Sequence, residues 1–270
     1  MLNDETMSPP SVPSAIGNAL KMWTYFLQDY TLLTMQSVRN MFAASRYFSA
    51  DLIKQMDQIG VGSALIVIVA LFCVGGVVVL NAASQFQRFG ETVLTGNAVS
   101  IALMRELGPV FVALLVAGRN ATAMASELGS MVVTEQVDAI RVFGIDPIRK
   151  LMTPRVLATV LMLPLLVAIG VVAGLLGGFL IANFVLHLGP EEFMSHAIKA
   201  LVFGDLCMAF IKAIVFGFII STVGCYHGFR VEGGTAGVAR ATITAFVVGS
   251  LGVLVVDLFI TKLLLYAFNL

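Results

Sequence analysis

The segment SALIVIVALFCVGGVVVLNAA, residues 63 to 83, carries no Asp, Glu, Lys, Arg or His. A helix of about 20 apolar residues spans roughly 30 Å, the thickness of a bilayer's hydrocarbon core. A strand of that length has no place in a soluble domain, and a soluble helix of that length needs a polar face that this one lacks. The segment therefore reads as a transmembrane helix. Four more runs of the same kind follow it. One extends from about Ala98 to Gly118, with a continuation towards Ala125, and one from Val156 to Leu186 around Pro164. The others cover about Leu206 to Cys225 and Ile243 to Phe268.

The whole composition agrees. Of 270 residues, 59% are hydrophobic and 12% charged, against about 25% charged in soluble domains, and the mean hydropathy is +0.95. The expected fold is an all-α integral membrane protein with about five transmembrane helices. A net charge of zero gives no electrostatic footing for nucleic acid. Many of the 25 glycines fall inside apolar runs, as expected where membrane helices approach closely.

Basic residues orient the chain. Lys21, Arg39, Arg46 and Lys54 precede the first span, and Arg119, Arg141, Arg149, Lys150 and Arg155 follow the second. Arg230 and Arg240 follow the fourth, whereas the opposite side holds Arg88 and Lys199. Such an imbalance places the basic side in the cytoplasm. The N-terminus is then expected inside and the C-terminus outside.

Residues 1–58 read as a separate cytoplasmic or interfacial region, and 59–270 as the transmembrane domain. Within the first region, Ala15 to about Tyr47 is helix-like, mixing Trp23, Tyr25, Phe26, Leu32, Leu33 and Met35 with polar residues. This suits a helix lying in the membrane interface, or an amphipathic helix packed on a partner. No leader with a short apolar core behind a basic start is expected here.

Cys73, Cys207 and Cys225 are far apart and form no C-x-x-C pair, so they read as buried free thiols rather than a disulfide or zinc framework. His187, His196 and His227 are equally scattered and read as loop or interface residues; no metal site is expected.

Against this apolar background, MVVTEQVDAIRVFGIDPIRK (131–150) is polar and punctuated. Thr134 is placed to cap a helix, with Glu135 and Asp138 near its positive end. Gly144 is placed to end it and Pro147 to prevent its restart. Val133, Val137 and Ile140 share a narrow apolar face, and Glu135, Asp138 and Arg141 lie on others. Either a solvated connector or a docking helix fits; a connector this long, capped and amphipathic favours docking.

Several charges fall inside the spans. Arg105, Glu106, Lys212 and Asp257 are all at membrane depth, with Asp205 at the outer edge of the fourth span and Glu127 near the inner end of the second. A charge at the bilayer centre costs about 2.5–3.5 kcal/mol on insertion scales, so such residues face a bundle interior, a cavity or a partner. Arg105 and Glu106 point about 100° apart on a helix. The depths of Lys212 and Asp257 allow a cross-helix pair. Pro109, just beyond, interrupts backbone bonding. A register-fixing ion pair and a polar patch for a headgroup or ion both remain open.

The chain lacks G-x-x-x-x-G-K-[ST], H-E-x-x-H and G-x-S-x-G. It is not expected to be an enzyme, to bind a cofactor or to hold nucleotide itself. An energy source would be a gradient or a partner.

The run RELGPVFVALLVAGRNATAMASELGSMVVTEQVDAIRVFGIDPIRKLMTPR (105–155) resembles the signature region of the MlaE-type permeases. The similarity continues through DLCMAFIKAIVFG (205–217) and GGTAGVARATIT (233–244), covering about Asp51 to the C-terminus. These permeases are membrane subunits of ABC transporters that work with MCE-domain lipid-binding proteins. The resemblance implies a homodimer in a bacterial inner membrane, with two cytoplasmic ATPase subunits that carry ATP and Mg, an MCE protein on the periplasmic side, and phospholipids or related lipids as substrate. It implies that Thr134, Glu135, Asp138, Arg141 and Phe143 form the coupling helix, and that Gly233 to Arg240 is a second loop touching the ATPase. It further implies that Arg105, Glu106, Lys212 and Asp257 lie near a lipid cavity formed by the first and fifth spans. Leu251, Val255 and Phe259 are chosen for its wall by helical spacing. Two other classes fit the residues less well: an ion-coupled secondary transporter using the intramembrane charges, and a non-transporting membrane scaffold.

Overall fold

A computed structural model of the chain describes residues 24, 28–40, 48–88, 94–185 and 189–268. All regular structure among them is helical. A short helix α1 covers 28–40; Trp23, Tyr25, Phe26 and His187 lie outside the described residues. Five helices are long and apolar enough to cross a membrane. They are α2 (Phe48–Gln87), α3 (Thr95–Val133), α5 (Ile148–Phe184), α7 (Phe203–Phe229) and α8 (Gly234–Phe268). Two shorter helices sit between them, α4 (Gln136–Val142) and α6 (Pro190–Lys199).

The five expected spans are all present, and each helix outruns its hydropathy window. At 1.5 Å per residue, α7, the shortest with 27 residues, already exceeds the hydrocarbon thickness. The extra turns carry polar residues that hydropathy discounts. Helix α2 runs unbroken through residues 58 and 59. Gly234 begins α8, so most of the stretch expected as a second loop, Gly233 to Arg240, is helix.

Helix α2 lies along α5 because glycines remove the side chains between them. A Cβ on Gly75 would stand 1.9 Å from the Gly174 carbonyl oxygen, and one on Gly177 2.0 Å from that of Phe72. Membrane helices use small residues in this way, since lipid supplies no hydrophobic force between helices. All five spans meet in one core, where Val67 and Leu71 of α2 join Val112 and Val116 of α3, Leu163 and Val167 of α5, Phe216 of α7 and Val253 of α8. Helices α2 and α8 present the most uncovered apolar surface, including Leu65, Val69, Leu251 and Leu258.

Cys225 is buried, but Cys207 is only partly so and Cys73 is exposed on α2. The expectation of three buried thiols therefore holds for one. Residue type alone does not tell a helix's core face from its lipid face when both are apolar.

Helix α1 is strapped to the lower end of α7. The Tyr30 hydroxyl lies 2.6 Å from Thr222 Oγ1, and Asp29 pairs with Arg230 at 2.7 Å. Burial raises the Tyr30 phenol above its ordinary pKa, with the Thr222 hydrogen bond acting the other way.

Candidate functional site

The side chain of Lys212 is fully buried, at 0% exposure, inside α7. A lone ammonium there would pay several kcal/mol in lost solvation. Three acceptors surround it instead. Its Nζ donates to Glu106 Oε2 at 2.5 Å and lies 2.8 Å from Asp257 Oδ1 and 3.0 Å from the Arg105 carbonyl oxygen. The Thr261 hydroxyl approaches both carboxylates, at 3.4 Å each.

Pro109 explains the third acceptor. A proline has no N–H to give the carbonyl four residues earlier, which here belongs to Arg105. The preceding turn, Leu103–Leu107, opens into a π-helix, and the Lys212 ammonium donates to the carbonyl that the proline cannot serve. The widened turn sends Arg105 and Glu106 to different partners. Glu106 meets Lys212, whereas Arg105 Nε donates to Asp205 Oδ1 at 2.6 Å. Asp205 is fully buried, and its other oxygen accepts the Val202 N–H at 3.0 Å, holding the start of α7. π-turns of this kind recur at functional positions.

The Lys212–Asp257 pair that depth allowed is formed, and the divergence of Arg105 from Glu106 is observed. Sequence reasoning assigned no partner to Arg105 or Glu106 and did not single out Thr261. Asp205, noted at the edge of its span, was the available signal for Arg105. Leu251, Val255 and Phe259 are exposed and face outward from the chain. At 100° per residue they lie on the side of α8 away from Asp257, so the cluster and that face are separate surfaces of one helix.

The connector departs from its expected capping. Thr134 ends α3, its hydroxyl donating back to the Ser130 carbonyl at 2.8 Å. Glu135 holds the N-cap position of α4 in a left-handed conformation, φ 60°, without a side-chain cap. Thr134 stands one residue ahead of the N-cap position, and its hydroxyl oxygen accepts from the Gln136 side-chain amide at 3.0 Å instead of from a first-turn backbone N–H. Gly144 closes α4 at φ +74°, as expected. Pro147 does not prevent a restart: it stands where the next helix begins, with Asp146 Oδ1 accepting the Ile148 N–H at 3.0 Å. A first turn tolerates proline because that N–H has no helical partner to lose.

Of the expected apolar face, only Val137 is buried, and Val133 belongs to α3. The apolar residues that project are Val142 and Phe143, 86% and 81% exposed, with Ile145 beside them. Asp138 and Arg141 pair with each other at 2.9 Å on the surface. Behind this tip lies a cavity of about 480 Å³, lined by Leu33 of α1, Arg141, Ile148 and the 229–232 corner. A second polar clamp joins α2, α3 and α5: Glu127 accepts from Gln58 and Arg155, both at 3.0 Å.

Fold and site together define a class: a multi-pass, all-α membrane protein with an ion-paired centre and a short connector helix tipped by exposed apolar side chains. The family described as Permease MlaE matches residues 52–263, and the chain belongs to that family. It is 34% identical over 253 residues to a protein of Rickettsia bellii named "Probable ABC transporter permease protein", covering 94% of this chain and 97% of that one. It is 31% identical over 214 residues to the "Intermembrane phospholipid transport system permease protein MlaE" of Haemophilus influenzae, covering 79% and 82%. "Protein TRIGALACTOSYLDIACYLGLYCEROL 1, chloroplastic" of Arabidopsis thaliana is 36% identical over 205 residues, covering 76% of this chain and 59% of that one.

Proposed function

We propose that the chain is the transmembrane subunit of an ABC transporter moving phospholipids or related hydrophobic lipids between the inner membrane and the outer envelope of a bacterium. It works as a homodimer with a separate pair of ATPase subunits on the cytoplasmic side and an MCE-domain protein on the periplasmic side. ATP and Mg belong to the ATPase. The observation that carries this reading is the α4 tip, where Val142 and Phe143 stand almost wholly uncovered. Large apolar side chains at that exposure, outside a lipid-facing span, call for a protein groove.

In this reading, ATP-driven closure of the two ATPases moves α4. Helix α3 joins α4 to the turn that holds Arg105 and Glu106, so displacement at the tip reaches the Lys212 cluster. The outward faces of α2 and α8, with Leu251, Val255 and Phe259, suit lipid tails, and the charged centre suits a polar headgroup. Family membership and the names of the two phospholipid- and ABC-related relatives support the substrate class.

Native mass spectrometry on the gently extracted complex tests this. The expected mass holds two copies of the chain, two ATPase subunits and retained phospholipid. Val142→Asp with Phe143→Asp should strip the ATPase while leaving the melting temperature of the chain unchanged. Retention of the ATPase by that variant, or a chain that never carries one, overturns the assignment.

A further inference from the structure

Between α2 and α3, at the level where the first span enters the membrane, sits a small pocket of about 10 Å³ lined by Gln55, Gln58, Ile59, Asn120, Ala123, Met124 and Glu127. That is room for about one oxygen-sized group. Asn120 is 4% exposed, and its Nδ2 has no hydrogen-bond partner among the described residues. A buried amide donor left unpaired costs about 1–3 kcal/mol, so an acceptor that entered the pocket would gain by meeting it.

The neighbouring residue adds a charge. Arg119 is exposed, and its guanidinium makes no hydrogen bond or ion pair with any described residue. It lies against Gly62 of α2, where an added Cβ would come within 2.6 Å of Nη2. A side chain in place of Gly62 would displace it. Gly62 is one helical turn, about 6 Å, above Gln58. Lys150 is paired with Asp51 and Arg155 with Glu127. Arg119 and Asn120 are consecutive on the π-turn Ala117–Ala121; a guanidinium and an amide N–H, both without a partner among the described residues, are donors that suit one tetrahedral oxyanion.

We propose that the α2–α3 groove binds the phosphate of a cytoplasmic-leaflet phospholipid, with Arg119 on its charge and one oxygen accepting from Asn120 Nδ2. The inference rests on the reading of the chain as a lipid transporter and adds to it a holding site apart from the Lys212 cluster. Depth decides for a lipid: the pocket opens where apolar α2 meets its polar first turns, which is where phosphates of the inner leaflet lie. Glu127, already held by Gln58 and Arg155, borders the pocket and favours a headgroup with a cationic amine over one with a second negative charge.

The test uses the full chain, without nucleotide or other subunits, in nanodiscs containing a phosphatidylethanolamine with a photoreactive headgroup. Labelled peptides are mapped by mass spectrometry. Labelling is expected on 55–62 and 119–127, about tenfold weaker in Arg119→Gln, and weaker again when Asn120→Ala is added. Equal labelling in the variants, or none at these peptides in the parent chain, overturns the proposal. Loss of label to millimolar inorganic phosphate overturns the lipid assignment, because the site would then serve a free anion. Melting temperatures of the variants show whether a loss reflects unfolding; Arg119→Lys, which keeps the charge, should retain most of the label if the site is real. Because no ATPase takes part, failure of the transporter assembly and failure of this site are separate results.

Discussion

At the residue scale, Lys212 is the centre of the molecule's electrostatics. Its ammonium is tolerated only because Glu106, Asp257 and the Arg105 carbonyl take up its charge and its hydrogen bonds. Removing one partner of a buried pair costs about 3–5 kcal/mol, whereas replacing the whole set by neutral groups is far cheaper. Lys212→Met should therefore lower the melting temperature of the purified chain sharply, since Glu106 and Asp257 then face each other uncompensated. Adding Glu106→Gln and Asp257→Asn should restore most of that loss without restoring transport. A triple variant no more stable than Lys212→Met would show that the cluster holds nothing together. Both measurements are needed, since stability reads the pairing and transport reads its use.

Elements behave as they do because of single backbone defects. Helix α3 is continuous from Thr95 to Val133 but passes through two π-turns, Leu103–Leu107 and Ala117–Ala121. The first lies directly ahead of Pro109, and it sets the directions of Arg105 and Glu106. Pro109→Ala returns an N–H that can bond the Arg105 carbonyl in an ordinary α-turn. The variant should fold at least as stably, because proline inside a helix costs about 3 kcal/mol, yet lose much of its transport as the Lys212 contacts shift register. Unchanged lipid movement by a well-folded Pro109→Ala chain would detach the π-turn from function. Helix α4 offers a second lesson. Its start was legible as a polar, punctuated stretch, but the cap was not. Thr134 has the residue type of an N-cap, but the left-handed Glu135 takes that position and the Thr134 oxygen accepts from the Gln136 side chain. Of the exposed tip, Phe143 is named through the family resemblance alone and Val142 not at all: periodicity finds the face that is buried, and these two side chains project.

For the whole molecule, the asymmetric distribution of basic residues makes a prediction about sidedness. In a chain with Cys73, Cys207 and Cys225 replaced, a cysteine at Gly144 should react with a membrane-impermeant maleimide only when the cytoplasmic face is open. One at Ala267 should react only from the opposite side. Reversed labelling would invert the placement of α4 and, with it, the side on which the proposed ATPase would bind. The architecture itself puts α3 and α7 inside, between α2 and α5 on one flank and α8 on the other. That arrangement leaves the apolar faces of α2 and α8 for lipid or a second copy.

The sequence by itself determined the class, the five spans and the polar interruption between the second and third. Those are properties of length and transfer free energy, which each segment carries alone. It also held the long motif that marks the family. Tertiary structure alone decided which charge meets which. Arg105 goes to Asp205 and Glu106 to Lys212 because a π-turn rotates one helix against another, and no count along the chain contains that rotation. Likewise, only packing tells the buried thiol of Cys225 from the exposed one of Cys73: in a bilayer both faces of a helix are apolar, so the pattern that separates inside from outside in water is absent.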